Sequence, residues 1–180
     1  MEAFDVTFDL NKFEKQEKIG EGSYFLVFKV LDKETNKIYA AKQLQTNNID
    51  NPNINILQSY HIISKLNYSI VNKCFGCSPI DFDNSQNQTL ITEYCVNGSL
   101  SKMLDLERNN MAPPTWNSTQ KIKVIYGIAS GMSYLQSHKI LHLNLTDSNI
   151  LLDESLNPKI SGFSLANYFG HDYGNKIVGS

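Results

Sequence analysis

Short runs of hydrophobic positions separated by polar turns dominate the first half of the chain. Residues 13–44 predict three strands joined by turns, with the apolar run of the third strand at 38–44. The polar stretch 32–36 between the second and third strands predicts a hairpin turn. Two further short strands are expected near residues 71–80 and 89–95, so five strands are predicted in total.

Apolar positions at helical spacing appear after an Asn-rich loop at 47–55, where they predict a first helix. They are Ile56, Leu57, Tyr60, Ile63 and Leu66. A short helix follows the Asn97-Gly98 turn, and the clearest helix is expected over 118–137, begun by Asn117 and Gln120 as a capping pair. Its predicted apolar stripe consists of Ile122, Ile125, Ala129, Met132 and Leu135.

Two more short strands, at 150–152 and 159–161, complete the pattern. A five-stranded, one-helix half is therefore followed by a helical half. This order predicts an α+β fold with a cleft between the halves, and clefts are where ligands bind.

Composition narrows the class of protein without identifying a function. The chain has 180 residues, 41% of them apolar and 19% charged, which is typical of one folded globular domain. A net charge of −2 argues against a broad nucleic-acid interface. Neither a membrane-spanning run nor a secretory leader is visible, so we expect a cytoplasmic protein without membrane or nucleic-acid partners.

The three cysteines favour a reducing compartment, because they are odd in number. Cys74 and Cys77 form a lone C-x-x-C, and Cys95 is the third thiol. A zinc site requires a second such pair or suitably spaced histidines. We therefore expect ordinary buried strand cysteines here.

A glycine-rich turn and a strand lysine are the first candidates for chemistry. Gly20 and Gly22 lie between the first two predicted strands, where glycines let backbone amides approach phosphates. Lys42 closes the third strand, from which a lysine can reach a nucleotide's phosphates. Taken singly, the first is a plain hairpin turn and the second a surface lysine.

Three later segments make the pattern specific. They are the loop 140–153, which reads ILHLNLTDSNILLD, the stretch 158–166, which reads PKISGFSLA, and residues 92–100, which read TEYCVNGSL. In order and spacing, the chain from about residue 10 to its end resembles a eukaryotic protein kinase domain of the tyrosine-kinase-like group. The resemblance implies an extension at 1–12, an N-lobe at 13–95, and a hinge with a partial C-lobe at 96–180 that ends within the activation segment.

The resemblance implies the protein-kinase two-lobe fold, with a complete N-lobe of five antiparallel strands plus helix C. It also assigns an ATP site, whose family positions are occupied here by Gly20, Gly22, Val27, Ala40, Lys42, Thr92, Glu93, Cys95 and Leu151. Lys42 and Asn149 match catalytic positions that the chain keeps. The apolar members of this set are core residues in any kinase fold, so they indicate the fold more firmly than ATP binding.

Two carboxylates that the family's chemistry requires are replaced. Asn144 stands where the H-R-D aspartate accepts the substrate proton, and an amide is not a usable base near neutral pH. Gly162 stands at the D-F-G aspartate, which holds Mg²⁺, so no metal site is expected. The H-R-D arginine is Leu143. Asp147, the remaining acid of this loop, is either a compensating base or metal ligand or a solvated loop residue.

The partner of Lys42 is also missing. Ser59 aligns with the helix-C glutamate, and no Asp or Glu occurs anywhere from residue 51 to residue 80. The third glycine of the phosphate loop is Phe25, which would crowd the space over the phosphates. Together these losses predict a catalytically inactive pseudokinase that binds ATP weakly, without Mg²⁺, or not at all, and acts as a scaffold.

Two alternatives stay open: an active kinase that compensates for its losses, and a truncated fragment without function. The chain stops before the A-P-E motif of the family, so the later C-lobe helices are expected to be absent. The apolar face of the helix at 118–137 would then need a protein partner to cover it.

Overall fold

The computed structural model describes residues 8–22, 24–45 and 56–169. Contacts divide the chain into two compact units, the first formed by residues up to 67 with 72–95, and the second by 68–71 with the residues from 96 onward. The predicted Asn-rich loop at 47–55, most of the 1–12 extension and the last eleven residues of the activation segment lie outside the described residues.

Unit 1 contains a five-stranded antiparallel sheet, as predicted. Its strands, in the spatial order β1-β2-β3-β5-β4, are β1 (Phe13–Glu21), β2 (Phe25–Asp32), β3 (Ile38–Leu44), β4 (Cys74–Ser78) and β5 (Thr89–Glu93). Helix α1 (Ile56–Ile63) belongs to the same unit. The strand expected over 71–80 is shorter, because Val71 instead forms an isolated bridge with Ile160 in unit 2.

Side chains alternate between the two faces of this sheet and build a core on one of them. That core contains the buried residues Leu10, Phe13, Val30, Ala41 and Ile91, with aromatic side chains packed around it. A 3-10 turn at Leu10–Lys12 brings Leu10 onto this face just before β1 begins. The opposite face carries the next residue in each strand, and it is there that the candidate binding residues lie.

The predicted hairpin turn between β2 and β3 has a clear physical basis. One carboxylate oxygen of Asp32 accepts hydrogen bonds from the backbone N–H groups of Glu34 and Thr35. Asn36 then takes a left-handed conformation with φ of 54°, which Asn tolerates better than most residues. The turn fixes the register of the two strands.

Unit 2 contains two helices and two small two-stranded sheets. The helices are α2 (Leu100–Arg108) and α3 (Ser118–Ser137). The strands are β6 (Ile140–Leu141), β7 (Ile150–Leu152), β8 (Pro158–Ile160) and β9 (Asn167–Tyr168), with β6 paired to β9 and β7 paired to β8. Among the described residues, none of the helices is both long and apolar enough to cross a bilayer.

Most members of the apolar stripe predicted for α3 are uncovered in the described part of the chain, and the stripe is not the face that packs within unit 2. Ile122 and Ile125 are each 66% exposed, Ala129 is exposed, and Leu135 is fully buried. The buried face runs instead through Val124, Gly127, Gly131 and Leu135. A Cβ on Gly127 would lie 2.5 Å from Pro158 Cγ, and one on Gly131 would lie 2.5 Å from Ile160 Cδ1. The packed face was missed because glycines, which carry no apolar side chain, allow the close approach of β8.

The predicted cap of α3 is half correct. The Asn117 side chain accepts a hydrogen bond from the Gln120 backbone N–H at 3.1 Å. The Gln120 side chain does not return the bond, because its Nε2 donates to the Leu156 carbonyl at 2.8 Å. Gln120 therefore ties the first turn of α3 to the loop before β8.

Paired substitutions on α3 test which face is packed. Leu135→Ala removes a fully buried side chain, and we expect a loss of about 2–5 kcal/mol in the free energy of unfolding. Ile125→Ala, at a largely exposed position of the same helix, should stay within about 0.5 kcal/mol. Urea denaturation measures both, and equal losses would contradict this packing.

Candidate functional site

Strand register brings the candidate residues of unit 1 onto one face of the sheet. Val27 lies opposite both Gly20 and Lys42, and Ala40 lies opposite Thr92. Opposed residues of antiparallel strands present their side chains on the same side, as do residues two apart in one strand. This face, which we call the candidate face, therefore carries five of the predicted nucleotide-site residues, Gly20, Val27, Ala40, Lys42 and Thr92.

The glycine-rich turn joins β1 and β2. Among the described residues, nothing lies within 4 Å of the position of a Cβ added to Gly22. Its backbone N–H donates to the Phe25 carbonyl at 2.9 Å, and the Gln45 N–H donates to the Tyr24 carbonyl at 2.8 Å. The turn is thus anchored by backbone bonds on both sides.

Lys42 is paired with an aromatic ring. Its Nζ lies 4.1 Å from the centroid of the Phe25 ring, the geometry of a cation–π contact. Phe25 is 8% exposed and shares the candidate face, because it precedes Val27 by two residues. Burial lowers the pKa of Lys42 from its ordinary 10.5 to about 8. Among the described residues no carboxylate forms an ion pair with it.

The predicted hinge residues lie at the end of β5 and just beyond it. Thr92 is part-buried, and its hydroxyl reaches the Glu93 carbonyl at 3.5 Å. The Glu93 N–H donates to the Lys73 carbonyl at 2.8 Å. Cys95 is buried with its Sγ 3.8 Å from Asn72 Oδ1. Backbone pairing within unit 1 holds Thr92 and Glu93, whereas the contact of Cys95 is between side chains.

Burial opposes ionisation of the thiols next to this region. It raises the pKa of Cys74 to about 12 and also raises the pKa of Cys77. Among the described residues no group of three or more His, Cys, Asp or Glu is arranged to hold a metal ion. Both cysteines of the C-x-x-C pair lie in β4, where Cys77 is buried.

In unit 2, a hydrogen-bond network surrounds Asn144, which the sequence analysis assigns to the position of the family's catalytic aspartate. His142 is buried, its Nε2 lies 2.8 Å from the Ser161 carbonyl, and its ring packs edge-on against Phe163 at 4.7 Å. The Asn144 N–H reaches His142 Nδ1 at 3.3 Å. The Asn149 side chain donates from Nδ2 to the Asn144 carbonyl at 2.8 Å. The loop is thus closed by amide groups and an imidazole.

Asn149 also occupies the space beside Gly162. A Cβ built on Gly162 would lie 2.3 Å from Asn149 Cγ and 2.4 Å from its Oδ1. Gly162 takes φ of 83°, a left-handed conformation that strains any residue with a side chain. Besides lacking a carboxylate, the position therefore has no room for one unless Asn149 moves.

Three more residues lie in this loop or in the strand that follows it. Leu143, at the family's arginine position, is 50% exposed and has φ of 59°, a strained conformation for leucine. Asp147 is exposed on a 3-10 turn, where its carboxylate accepts a hydrogen bond from the Ser148 hydroxyl. Leu151 is part-buried in β7 and bridges to Ser99. The Asp147 carboxylate lies in solvent, outside the amide network.

Two contacts of this site were missed by sequence reasoning. Phe25 was expected to crowd phosphates, but its contact with Lys42 was not foreseen. The overlap of Asn149 with the missing Cβ of Gly162 was likewise unforeseen. Strand alternation could have indicated the contact between Phe25 and Lys42, because it places residues 25 and 27 on one face. The overlap of Asn149 with the Cβ position of Gly162 depends on loop geometry, which no sequence pattern encodes.

Comparison with known proteins finds the protein kinase domain family at residues 13–180. Similar curated proteins include three from Arabidopsis thaliana. A probable leucine-rich repeat receptor-like serine/threonine-protein kinase is 35% identical over 87% of this chain, an L-type lectin-domain containing receptor kinase is 32% identical over 97%, and a probable serine/threonine-protein kinase is 33% identical over 86%. The matched regions span 15%, 25% and 39% of those relatives' lengths.

The lowered pKa of Lys42 predicts a specific pH dependence of stability. Below about pH 8 both the folded and the unfolded chain carry this charge, and the folded state bears its burial penalty. Between about pH 8 and 10.5 the folded protein releases the proton first, so its stability rises relative to a variant without the lysine.

We therefore expect Lys42→Met to be more stable than the wild type at pH 7, with an advantage that shrinks toward pH 10.5. Urea unfolding at a series of pH values measures this, with the exposed Lys102→Met as the control. A pH-independent difference between wild type and Lys42→Met would show that burial does not perturb Lys42.

Proposed function

Because this chain belongs to the protein kinase domain family, we propose that it is a pseudokinase, a kinase-like domain without phosphoryl-transfer activity that keeps weak ATP binding and serves as a scaffold. The observation that carries the proposal is the environment of Gly162, where the Asn149 side chain fills the space next to a residue that has no carboxylate. The names of the relatives support descent from serine/threonine kinases.

The chemistry of the loop in unit 2 supports inactivity. Phosphoryl transfer in the family relies on a carboxylate that accepts the hydroxyl proton and on another that holds Mg²⁺. Asn144 and Gly162 supply neither, and Asn149 donates its amide N–H groups to a carbonyl. The residues present do not fit the family's magnesium. Loss of a general base alone costs a factor of about 10²–10⁴ in rate.

The candidate face of unit 1 supports the nucleotide part of the proposal. Val27, Ala40 and Thr92 provide a small apolar surface suited to a planar purine, with Lys42 beside it. We assign Gly20, Gly22, Glu93 and Cys95 to the same nucleotide site. We also assign Leu151, in unit 2, to nucleotide binding. The 13–95 and 96–180 boundaries are likewise assigned as N-lobe and as hinge with partial C-lobe.

The scaffold part of the proposal rests on exposed apolar side chains of α3. Ile122 and Ile125 are each 66% exposed, and Tyr126 is 75% exposed. Exposed apolar surface of this kind is typical of protein contacts. We propose that a protein partner binds this face.

Thermal unfolding with ATP, in the presence and absence of Mg²⁺, tests nucleotide binding together with a phosphate-transfer assay. We expect a shift that does not depend on Mg²⁺, with stabilisation of about 2.7 kcal/mol when ATP reaches 100 times its Kd. No labelled phosphate should reach a generic protein substrate. Ala40→Leu, which fills the candidate face, should abolish the shift, and Ile122→Ala should keep it. A shift seen only with Mg²⁺, accompanied by phosphate transfer, would overturn the proposal.

Restoring both carboxylates should not create a kinase. In Asn144→Asp with Gly162→Asp, the new side chain at 162 collides with Asn149 and occupies a left-handed backbone position, while Lys42 still lacks a carboxylate partner. We expect background phosphate incorporation and lower stability than the wild type. Phosphate transfer by this double variant would show that the two substitutions alone account for any inactivity.

A further inference from the structure

Phe25 stands where the family's phosphate loop has its third glycine, and its ring lies against Lys42. The distance from Lys42 Nζ to the ring centroid is 4.1 Å, and Phe25 is 8% exposed. Phe25 pairs with Leu44 at the start of β2, so its backbone belongs to the sheet. The ring is therefore held over the lysine by strand geometry.

We propose that Phe25 closes the phosphate subsite of the candidate face, so that this domain selects a purine nucleoside over a nucleoside triphosphate. The inference rests on the nucleotide binding proposed above and specifies its ligand. The ring lies against Lys42 Nζ, the group that would bind a phosphate. The face of an aromatic ring is electronegative, so it attracts the ammonium group and repels an anion.

A backbone hydrogen bond in the glycine-rich turn also opposes phosphate binding. A phosphate loop binds anions through N–H groups that are free to turn toward them. The Gly22 N–H instead donates to the Phe25 carbonyl at 2.9 Å. A triphosphate would have to displace both the ring and this hydrogen bond, whereas a nucleoside needs neither.

The same strand provides a matched control. Phe28 lies on the opposite face of β2, and Lys15 Nζ sits 4.2 Å from its ring centroid. Phe28→Leu therefore removes a comparable cation–π contact away from the candidate face. Phe25→Gly restores the family's residue, and Phe25→Leu keeps apolar bulk without an aromatic face.

Isothermal titration calorimetry of adenosine and ATP, each without Mg²⁺, measures selectivity for the wild type and the three variants. We expect the wild type to bind adenosine at least as tightly as ATP. Phe25→Gly should tighten ATP binding tenfold or more, while its affinity for adenosine changes less than threefold. Phe25→Leu and Phe28→Leu should bind both ligands with affinities close to those of the wild type. If Phe25→Gly does not fold by circular dichroism, Phe25→Ala takes its place, with the same expectation.

A second readout follows the contact itself. In lysine-labelled protein, the Lys42 ε-methylene protons should be shifted upfield by the Phe25 ring, and Phe25→Leu should remove the shift. Wild-type binding of ATP tighter than adenosine, or an unshifted Lys42 signal, would overturn the inference while nucleotide binding stands. If neither adenosine nor ATP binds to the wild type or to any variant, while the Lys42 ε-methylene signal is still shifted, the nucleotide part of the proposed function is overturned. The ligand assigned here is then overturned with it.

Discussion

The register between β2 and β3 is the constraint on which the candidate site of unit 1 depends. Val27 lies opposite Lys42 and Phe28 lies opposite Ala41, so one face of the sheet receives the candidate residues and the other receives the core. A slip of one residue would exchange the two faces, because side chains alternate with a period of two. The Asp32 turn, which fixes the hairpin, therefore also decides where Lys42 points.

Two charge interactions expected from the family are missing among the described residues, and a neighbouring side chain lies at each place. Lys42 has the Phe25 ring beside it in unit 1 and no carboxylate in an ion pair with it there. Gly162 carries no carboxylate, and the Asn149 side chain occupies the space beside it in unit 2. A buried charge without a partner is costly, and empty space in a packed region is costly as well. Both contacts reduce such costs without supplying a carboxylate.

Helix α3 shows how packing within unit 2 differs from hydrophobicity along the sequence. Its buried face contains Gly127 and Gly131. Because these residues have no Cβ, side chains of β8 come within 2.5 Å of the positions that the Cβ atoms would occupy. Its large apolar side chains Ile122 and Ile125 lie elsewhere on the helix, in solvent. Side chains of β8 pack against the helix where its glycines leave room, so a count of apolar positions finds the exposed apolar stripe and misses this packed face.

The sequence by itself determined the order of the strands and helices and the protein kinase family, and it predicts that Asn144 and Gly162 replace family carboxylates. These follow from local periodicity and from the identity of residues at fixed spacing, which a chain carries before it folds. Tertiary structure decided that Phe25 pairs with Lys42, that Asn149 fills the space beside Gly162, and that α3 packs through its glycines. Those facts depend on distances between residues far apart in the chain or on loop dihedral angles, and neither is encoded in a period of two or 3.6 residues.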